Sequence, residues 1–340
     1  MPGRRSKNTG GHNLSAGVFK VTGKKSYLVI PPNIWYHYLG EHMEFNGVTI
    51  EDTYAEGFPV WAARVIITAV TKDWAYKAAT EATGFATSTI GCPCEAGIEK
   101  FLPPSETPDN RPGFSILICC GKKALKEQVL ERVSECVLTA PTTAVFNGHA
   151  GEEEIIPIKL HFFGDKFEKK VEVGGIQCWS IPIMGGDFIV EEEIGAVKGV
   201  AGGNFLILGD SQMSALIAAE AAVDAIKGVK GAITPFPGGV VSSGSKVGSL
   251  SYKFMGASTN EKFCPSIRAE VIEKGLETEI PEGVKAVYEI VIDGVSEEAV
   301  KEAMKVGVQA ACRVPGVVKI TAGNYGGNLG PFKFYLKDCI

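Results

Sequence analysis

The run Val287-Tyr288-Glu289-Ile290-Val291-Ile292 sets one carboxylate among aliphatic residues, most of them β-branched. Read as a strand, its period of two puts Glu289 on the face shared by Val287 and Val291. A carboxylate on an apolar face is desolvated, which favours its neutral form and raises its pKa. A protonated carboxylic acid can donate a hydrogen bond to a developing oxyanion or hand a proton to a leaving amine. The alternative is an open sheet face with Glu289 in water, and alternation alone leaves both readings standing.

Other chemistries are thinly supplied. Past residue 42 the histidines are His149 and His161, too few for a comfortable Ser-His-Asp triad or a His-rich metal site. His161, in the strand-like run Ile158–Phe163, reads as a packed or hydrogen-bonded strand histidine. Cys92, Cys94, Cys119 and Cys120 suggest zinc by residue type. The expected strand order, however, puts Cys119–Cys120 at the far end of a strand, ~20 Å from Cys92–Cys94. One tetrahedral ion with bonds of ~2.3 Å could not span that, so these thiols read as buried small hydrophobes. A thiol acyl-enzyme through Cys92 or Cys136 lacks a neighbouring His or Lys to activate it. No GxGxxG follows a strand. The run Gly239–Lys246 has Ser and Lys in the wrong order for a phosphate loop and opens no credible helix. There is no GxSxG elbow and no HExxH.

The elements that must position Glu289 follow a pattern of strand, helix, strand, repeated four times. The first is Trp61–Val70, a helix from Lys72 to Thr83, and Phe85–Ile90. The second is Gly113–Cys119, Lys122–Cys136 and Thr142–Phe146. The third is Asn204–Leu208, a helix Ser211–Lys227 capped by Asp210, and Ala232–Thr234. The fourth is Val284–Ile292, a helix Glu297–Cys312 capped by Ser296, and Val317–Thr321. Two such units make βαββαβ, so the expected class is α+β with two ferredoxin-like lobes from an internal duplication. The expected division is an N-terminal lobe at 43–148, a β-rich bridge at 149–203 and a C-terminal lobe at 204–340. The second lobe carries a Gly/Ser-rich insertion at 235–283, and long irregular excursions in compact domains are usually functional or interfacial.

Two Pro/Gly turns, Cys92–Gly97 and Thr234–Gly239, are expected to follow strands. Ala201–Asn204 and Gly323–Gly327 read as further Gly-rich turns. Together they suit an extended organic ligand lying along exposed backbone.

The chain has 340 residues with a net charge of −5, a length that suggests about two domains. Residues 1–42 carry six basic side chains against one acidic; the remainder is acidic, with 28 basic and 38 acidic residues. An acidic body argues against a nucleic-acid groove. No apolar run reaches the ~18–20 residues of a membrane span. Nine cysteines, an odd number, in a chain without a recognisable secretory leader read as reduced thiols in a cytoplasm. Met43 opens a well-formed domain start, and residues 1–42 are expected to be a start-site artefact or a flexible, dispensable tail.

Several long runs are distinctive in combination: Glu51–Glu56, Glu81–Phe85, Cys92–Glu99, Thr139–Phe146, Gly199–Phe205, Ile233–Gly239, Ser243–Gly248, Val287–Ile290 and Thr321–Gly327. Their order and content resemble the formylmethanofuran–tetrahydromethanopterin formyltransferase family from Met43 nearly to the C-terminus. Residues 1–42 have no counterpart there. Cys94 stands where the family usually has Ala, a family His is missing around Cys119–Cys120, and Asn328 replaces a frequent Lys.

The resemblance implies transfer of a formyl group from formylmethanofuran to N5 of tetrahydromethanopterin, or its sarcinapterin variant, in the one-carbon metabolism of methanogenesis. Both pterin and furan carriers are co-substrates, with no tightly bound cofactor and no metal. It implies a homo-oligomer, dimer or tetramer, with the substrates in a cleft near a subunit interface. The family's catalytic glutamate falls on Glu289. Candidate substrate contacts are Tyr288, Asn204, Phe205, Pro235, Gly238, Gly239, Ser245, Lys246, Glu95 and Asn324. The rival expectation is a catalytically impaired paralogue that only binds pterin or serves oligomerisation.

Overall fold

The structure is a computed structural model that describes residues 38–39, 42–149, 151 and 153–340. The reading of residues 1–42 as a dispensable tail therefore lies almost wholly outside the described residues.

Two long strands organise the chain: β1 (Tyr54–Thr68) and β5 (Glu193–Gly209). They pair antiparallel where Phe58–Ala63 meets Ala196–Ala201. The rest of the first unit is α1 (Lys72–Ala82), β2 (Glu95–Leu102), β3 (Gly113–Cys120), α2 (Lys122–Glu131) and β4 (Ala144–Asn147). Its strands lie in the order β4-β1-β3-β2, each pair antiparallel. The second unit continues from β5 with α3 (Gln212–Ile226), β6 (Ala232–Ile233), β7 (Ala286–Gly294), α4 (Glu297–Ala311) and β8 (Val317–Thr321). Its order is β8-β5-β7-β6, again antiparallel. A last strand, β9 (Phe332–Tyr335), returns to pair with the start of β1. The whole is a mixed α+β fold, one large sheet with few helices.

Several expectations need correction. The second strand of the first unit is not Phe85–Ile90, which forms turns; it is Glu95–Leu102. The turn at Cys92–Cys94 therefore precedes that strand, and Glu95 lies opposite Cys119. The ~20 Å separation argued between the cysteine pairs does not hold, although Cys94, Cys119 and Cys120 are all buried in apolar clusters. Finally, Ala201–Asn204 is no turn. It is a bulge inside β5, where the register to β7 shifts between Val200 and Gly203. A Cβ at Gly203 would lie 2.4 Å from Val300 Cγ1 and one at Gly199 2.5 Å from the Gly294 carbonyl, so close packing selects glycine there.

The helices start where side chains satisfy their free N–H groups. Thr71 accepts from Trp74 N at 3.2 Å and Ser296 from Ala299 N at 3.2 Å. The N-cap of α3 is Ser211, which accepts from Ser214 N at 3.1 Å; Asp210 instead accepts from the Ser214 hydroxyl at 2.8 Å. Helix α2 passes into a π-turn at Arg132–Val137. The buried Arg132 then donates to the Ala82 and Gly84 carbonyls at the end of α1, at 2.6 and 3.0 Å.

Each helix pair covers one part of the sheet. Ala75, Ala78, Ala79 and Ala82 of α1 pack with Leu125 and Val129 of α2 on the first unit. Ala218, Ala219 and Ala222 of α3 pack with Val300, Met304 and Val308 of α4 on the second. A smaller cluster of Val60, Ala62, Leu117, Cys119, Ala201 and Ile233 seals the seam between the units. No described helix is long and apolar enough to cross a membrane.

His161 is not on a strand but in a short 3-10 turn, Leu160–Gly164. It is packed and hydrogen-bonded all the same, stacked on Trp179 at 4.3 Å and bound to Glu192 at 2.7 Å.

Candidate active site

Strand β7 carries Glu289 into the wall of a cavity of about 580 Å³. The expected alternation holds. Glu289 and Val287 line the cavity, while Tyr288 and Ile290 pack into the core behind the sheet. Across the sheet, Glu289 is in register with Leu206, and Leu206 with Thr321, so the floor of the cavity is strand surface. On its other side the Glu289 backbone exchanges two hydrogen bonds with Val241, at 2.8 and 3.0 Å. That bridge ties the insertion to β7 and makes it the facing wall, through Val241–Lys246, Asn260–Ser266 and Glu279. The end is closed by Thr321–Tyr325.

The Glu289 carboxyl forms no hydrogen bond to another described side chain or backbone group. Burial pushes its pKa up to about 7, because an apolar setting penalises the anion. Below about 7, a neutral carboxylic acid with a free O–H therefore faces an open cavity. Most of the other charged groups on the walls are paired. Lys246 binds Glu261 and the Thr259 carbonyl, Lys319 binds Glu51 at 2.7 Å, and Lys262 binds Glu277 at 3.0 Å.

Of the residues expected to contact substrate, Asn204, Ser245, Lys246 and Asn324 line this cavity with Glu289. Asn204 is partly spent on structure: its amide donates to the Gly323 carbonyl at 3.1 Å and accepts from Gly323 N at 2.6 Å. Asn324 donates to Thr53 Oγ1 at 3.2 Å and the Tyr54 carbonyl at 3.3 Å. The remaining candidates lie elsewhere. Phe205 is buried under α4 and Tyr288 faces the same core. Pro235, Gly238 and Gly239 belong to the turn after β6, where a Cβ at Gly239 would meet Val223 of α3. Glu95 is buried at the seam between the units.

Two residues escaped the sequence reading. Tyr325 stands on the cavity wall, close enough to Glu289 that a negative charge there would raise its own phenol pKa, after burial. Glu56 lies behind it, buried, and accepts backbone N–H bonds from Tyr325 (2.6 Å), Gly327 (3.2 Å), Leu329 and Gly330 (3.3 Å). A signal was available: Glu56 is a charged residue in the otherwise apolar run Ala55–Val60. Among the described residues no group of three or more His, Cys, Asp or Glu converges as metal ligands. A neutral acid, hydroxyls and backbone amides around a cavity this size suit acyl transfer between organic carriers.

Comparison with known proteins agrees with that chemistry. Residues 43–183 match the family described as formylmethanofuran-tetrahydromethanopterin formyltransferase, and residues 186–339 match the family described as the proximal lobe of FTR. The enzyme of that name from Methanosarcina acetivorans is 61% identical over 299 residues, covering 87% of this chain and 99% of the relative. That from Methanocaldococcus jannaschii is 62% identical over 302 residues, with 87% and 99% covered. The solved formyltransferase from Methanosarcina barkeri superposes with a TM-score of 0.84 at 59% identity, covering 88% of this chain and all of that one. A chain of the formyltransferase/hydrolase complex from Methylorubrum extorquens, solved with methylofuran, gives a TM-score of 0.81 at 44% identity, covering 88% and 98%. On this agreement across nearly the whole described chain, the protein belongs to the formylmethanofuran–tetrahydromethanopterin formyltransferase family and is a formyltransferase.

Proposed function

We propose that this protein moves a formyl group from the amine of formylmethanofuran to N5 of tetrahydromethanopterin or sarcinapterin, with protonated Glu289 as donor and general acid. The observation that carries the reading is an unpartnered, partly buried carboxyl on the wall of a substrate-sized cavity. The pterin N5 lone pair attacks the formyl carbon, and the carbonyl electron pair moves onto oxygen. The O–H of Glu289 stabilises that oxyanion or passes its proton to the methanofuran nitrogen as the C–N bond breaks. The proton lost from N5 then restores the acid. The cavity's part is to align the two carriers and keep out water, which would otherwise hydrolyse the formamide. Both carriers act as co-substrates, with no tightly bound cofactor.

The same reading takes residues 43–148 and 204–340 as two ferredoxin-like lobes from a duplication, joined by the 149–203 bridge. The equal strand orders of the two units support it. It also takes the protein as a cytoplasmic homo-oligomer, which light scattering tests. The decisive assay mixes the protein with both carriers and follows the formyl-pterin product. Turnover that falls steeply in Glu289→Gln supports the reading. Binding without turnover overturns it in favour of a non-catalytic paralogue.

A further inference from the structure

We propose that Glu56 is a positioning residue: its carboxylate pins the 325–330 loop and thereby holds Tyr325 as the wall that keeps water from Glu289. The inference rests on the reading of Glu289 as the acid. It adds a buried anion that never meets substrate yet sets how that acid behaves.

The geometry is specific. Glu56 sits on β1, beside β9, with its side chain under the loop that joins β8 to β9. Both carboxylate oxygens are used. Oε2 accepts from Tyr325 N and Gly327 N, while Oε1 accepts from Leu329 N and Gly330 N. A carboxylate is acceptor-only and offers about four lone-pair sites, so it matches four converging N–H donors where an amide could not. Asn324 fastens the loop's entry to Thr53 and Tyr54. At its exit, Gly330 packs so tightly that a Cβ would meet the Gly57 carbonyl at 2.1 Å. The loop is thus held from below at four points, and the one large side chain it projects into the cavity is Tyr325.

Burial works against the Glu56 anion, but the four N–H bonds together hold its pKa below the usual carboxylate value. The anchor thus persists throughout the range in which Glu289 titrates. The other charged or titratable groups facing Glu289 are Glu51, from the strand preceding β1, and Lys246, Glu261, Lys262, Cys264 and Glu279 of the insertion. None of these is among the causes of the Glu289 shift, which is burial. Removing a wall is therefore the route by which a distant residue changes this acid.

The test is to titrate the Glu289 carboxyl directly by ¹³C NMR of glutamate-labelled protein, assigned with Glu289→Gln. It is run on the wild type, Glu56→Gln, Tyr325→Ala and Tyr325→Phe, beside pH profiles of kcat. In Glu56→Gln and Tyr325→Ala the Glu289 pKa should fall from about 7 toward the ordinary carboxylate range. Activity at neutral pH should fall about tenfold and recover on acidification. Tyr325→Phe, which keeps the ring, should titrate like the wild type. Unchanged Glu289 titration in both Glu56→Gln and Tyr325→Ala overturns the inference while leaving the acid assignment intact. Full activity in Glu289→Gln instead sinks the underlying reading. If Glu56→Gln does not fold, wild-type hydrogen exchange decides. The amides of Tyr325, Gly327, Leu329 and Gly330 should lose protection together as Glu56 protonates, and independent loss overturns the anchor.

Discussion

Asp293 and Glu95 meet as a buried pair of carboxyl groups at the seam between the two units. Thr89 N donates to Glu95 Oε1 at 3.0 Å and Gly202 N donates to Asp293 Oδ1 at 3.3 Å. The remaining oxygens, Glu95 Oε2 and Asp293 Oδ2, find no donor group among the described residues. One proton shared between the two carboxyls satisfies both. Burial, then the neighbouring Glu95, pushes Asp293 well above the usual range, and burial raises Glu95 as well.

The folded state thus holds a proton that the unfolded chain releases. The contribution of this pair is complete below the ordinary carboxylate range and declines as pH rises through the raised folded value. Asp293→Asn replaces the proton with an amide donor and should flatten that decline. Asp293→Ala leaves Glu95 Oε2 and Gly202 N without a partner and should cost about 1–3 kcal/mol. Urea midpoints measured across neutral to alkaline pH decide. A wild-type slope equal to that of Asp293→Asn would remove the shared proton.

Glu289 makes the same demand on pH, read in turnover rather than in stability. In the proposed mechanism its protonated form is the working form, so kcat should be flat well below about 7 and fall as the carboxyl ionises around that value. Glu289→Gln keeps an N–H donor but cannot give up a proton. It should lose about 10²-fold or more in kcat, with the alkaline limb abolished. A wild-type limb surviving in the variant would assign it to another group.

Glu289 was legible because a strand's period of two is a local property: once Val287–Ile292 is a strand, the face of its carboxylate follows. Helices α1, α3 and α4 were legible through their Ala-rich runs and, for α4, through its cap Ser296; the cap of α3 was read one residue early, at Asp210 instead of Ser211. What sequence reading lost was non-local. Strand β2 alternates Glu95, Gly97 and Glu99 with Ala96 and Ile98, which looks like a solvent face. Those acids are buried because Asp293 and Gly231 meet them across the seam and Arg64 meets them from β1, each distant in sequence. Glu56 was overlooked for the same reason, since its four donors lie about 270 residues away along the chain. The Gly-rich run at 201–204 was mistaken for a turn because glycine alone does not say whether a positive φ or a crowding neighbour requires it.

Glu99 illustrates how much such a distant partner matters. Arg64 Nε and Nη2 fork onto its carboxylate at 2.7 and 2.9 Å, joined by Ser115 Oγ at 2.6 Å and Gly231 N at 2.7 Å. Burial raises the Glu99 pKa, but Arg64 and these donors outweigh it and the net shift is downward. Arg64→Met strands a buried anion and should cost about 3–5 kcal/mol. Combining it with Glu99→Met should recover part of that loss. A double-mutant cycle in urea checks it, and strict additivity would show the pair to be energetically independent.

Gly203 tests whether the Gly-rich bulge serves packing. A Cβ there would lie 2.4 Å from Val300 Cγ1 and 3.4 Å from Ile292 Cβ, so the obstacle is one methyl group on α4. Gly203→Ala should therefore destabilise by about 1–3 kcal/mol through overpacking. Val300→Ala alone should also destabilise, because it leaves a void in the second core. Together the new methyl occupies the space the old one vacated, so the double variant should be more stable than the sum of the two losses predicts. Thermal melts of the four proteins measure this. If Val300→Ala brings no relief, the glycine is retained at this bulge for the Ile292 carbonyl, 3.3 Å from such a Cβ, rather than for the approach of α4.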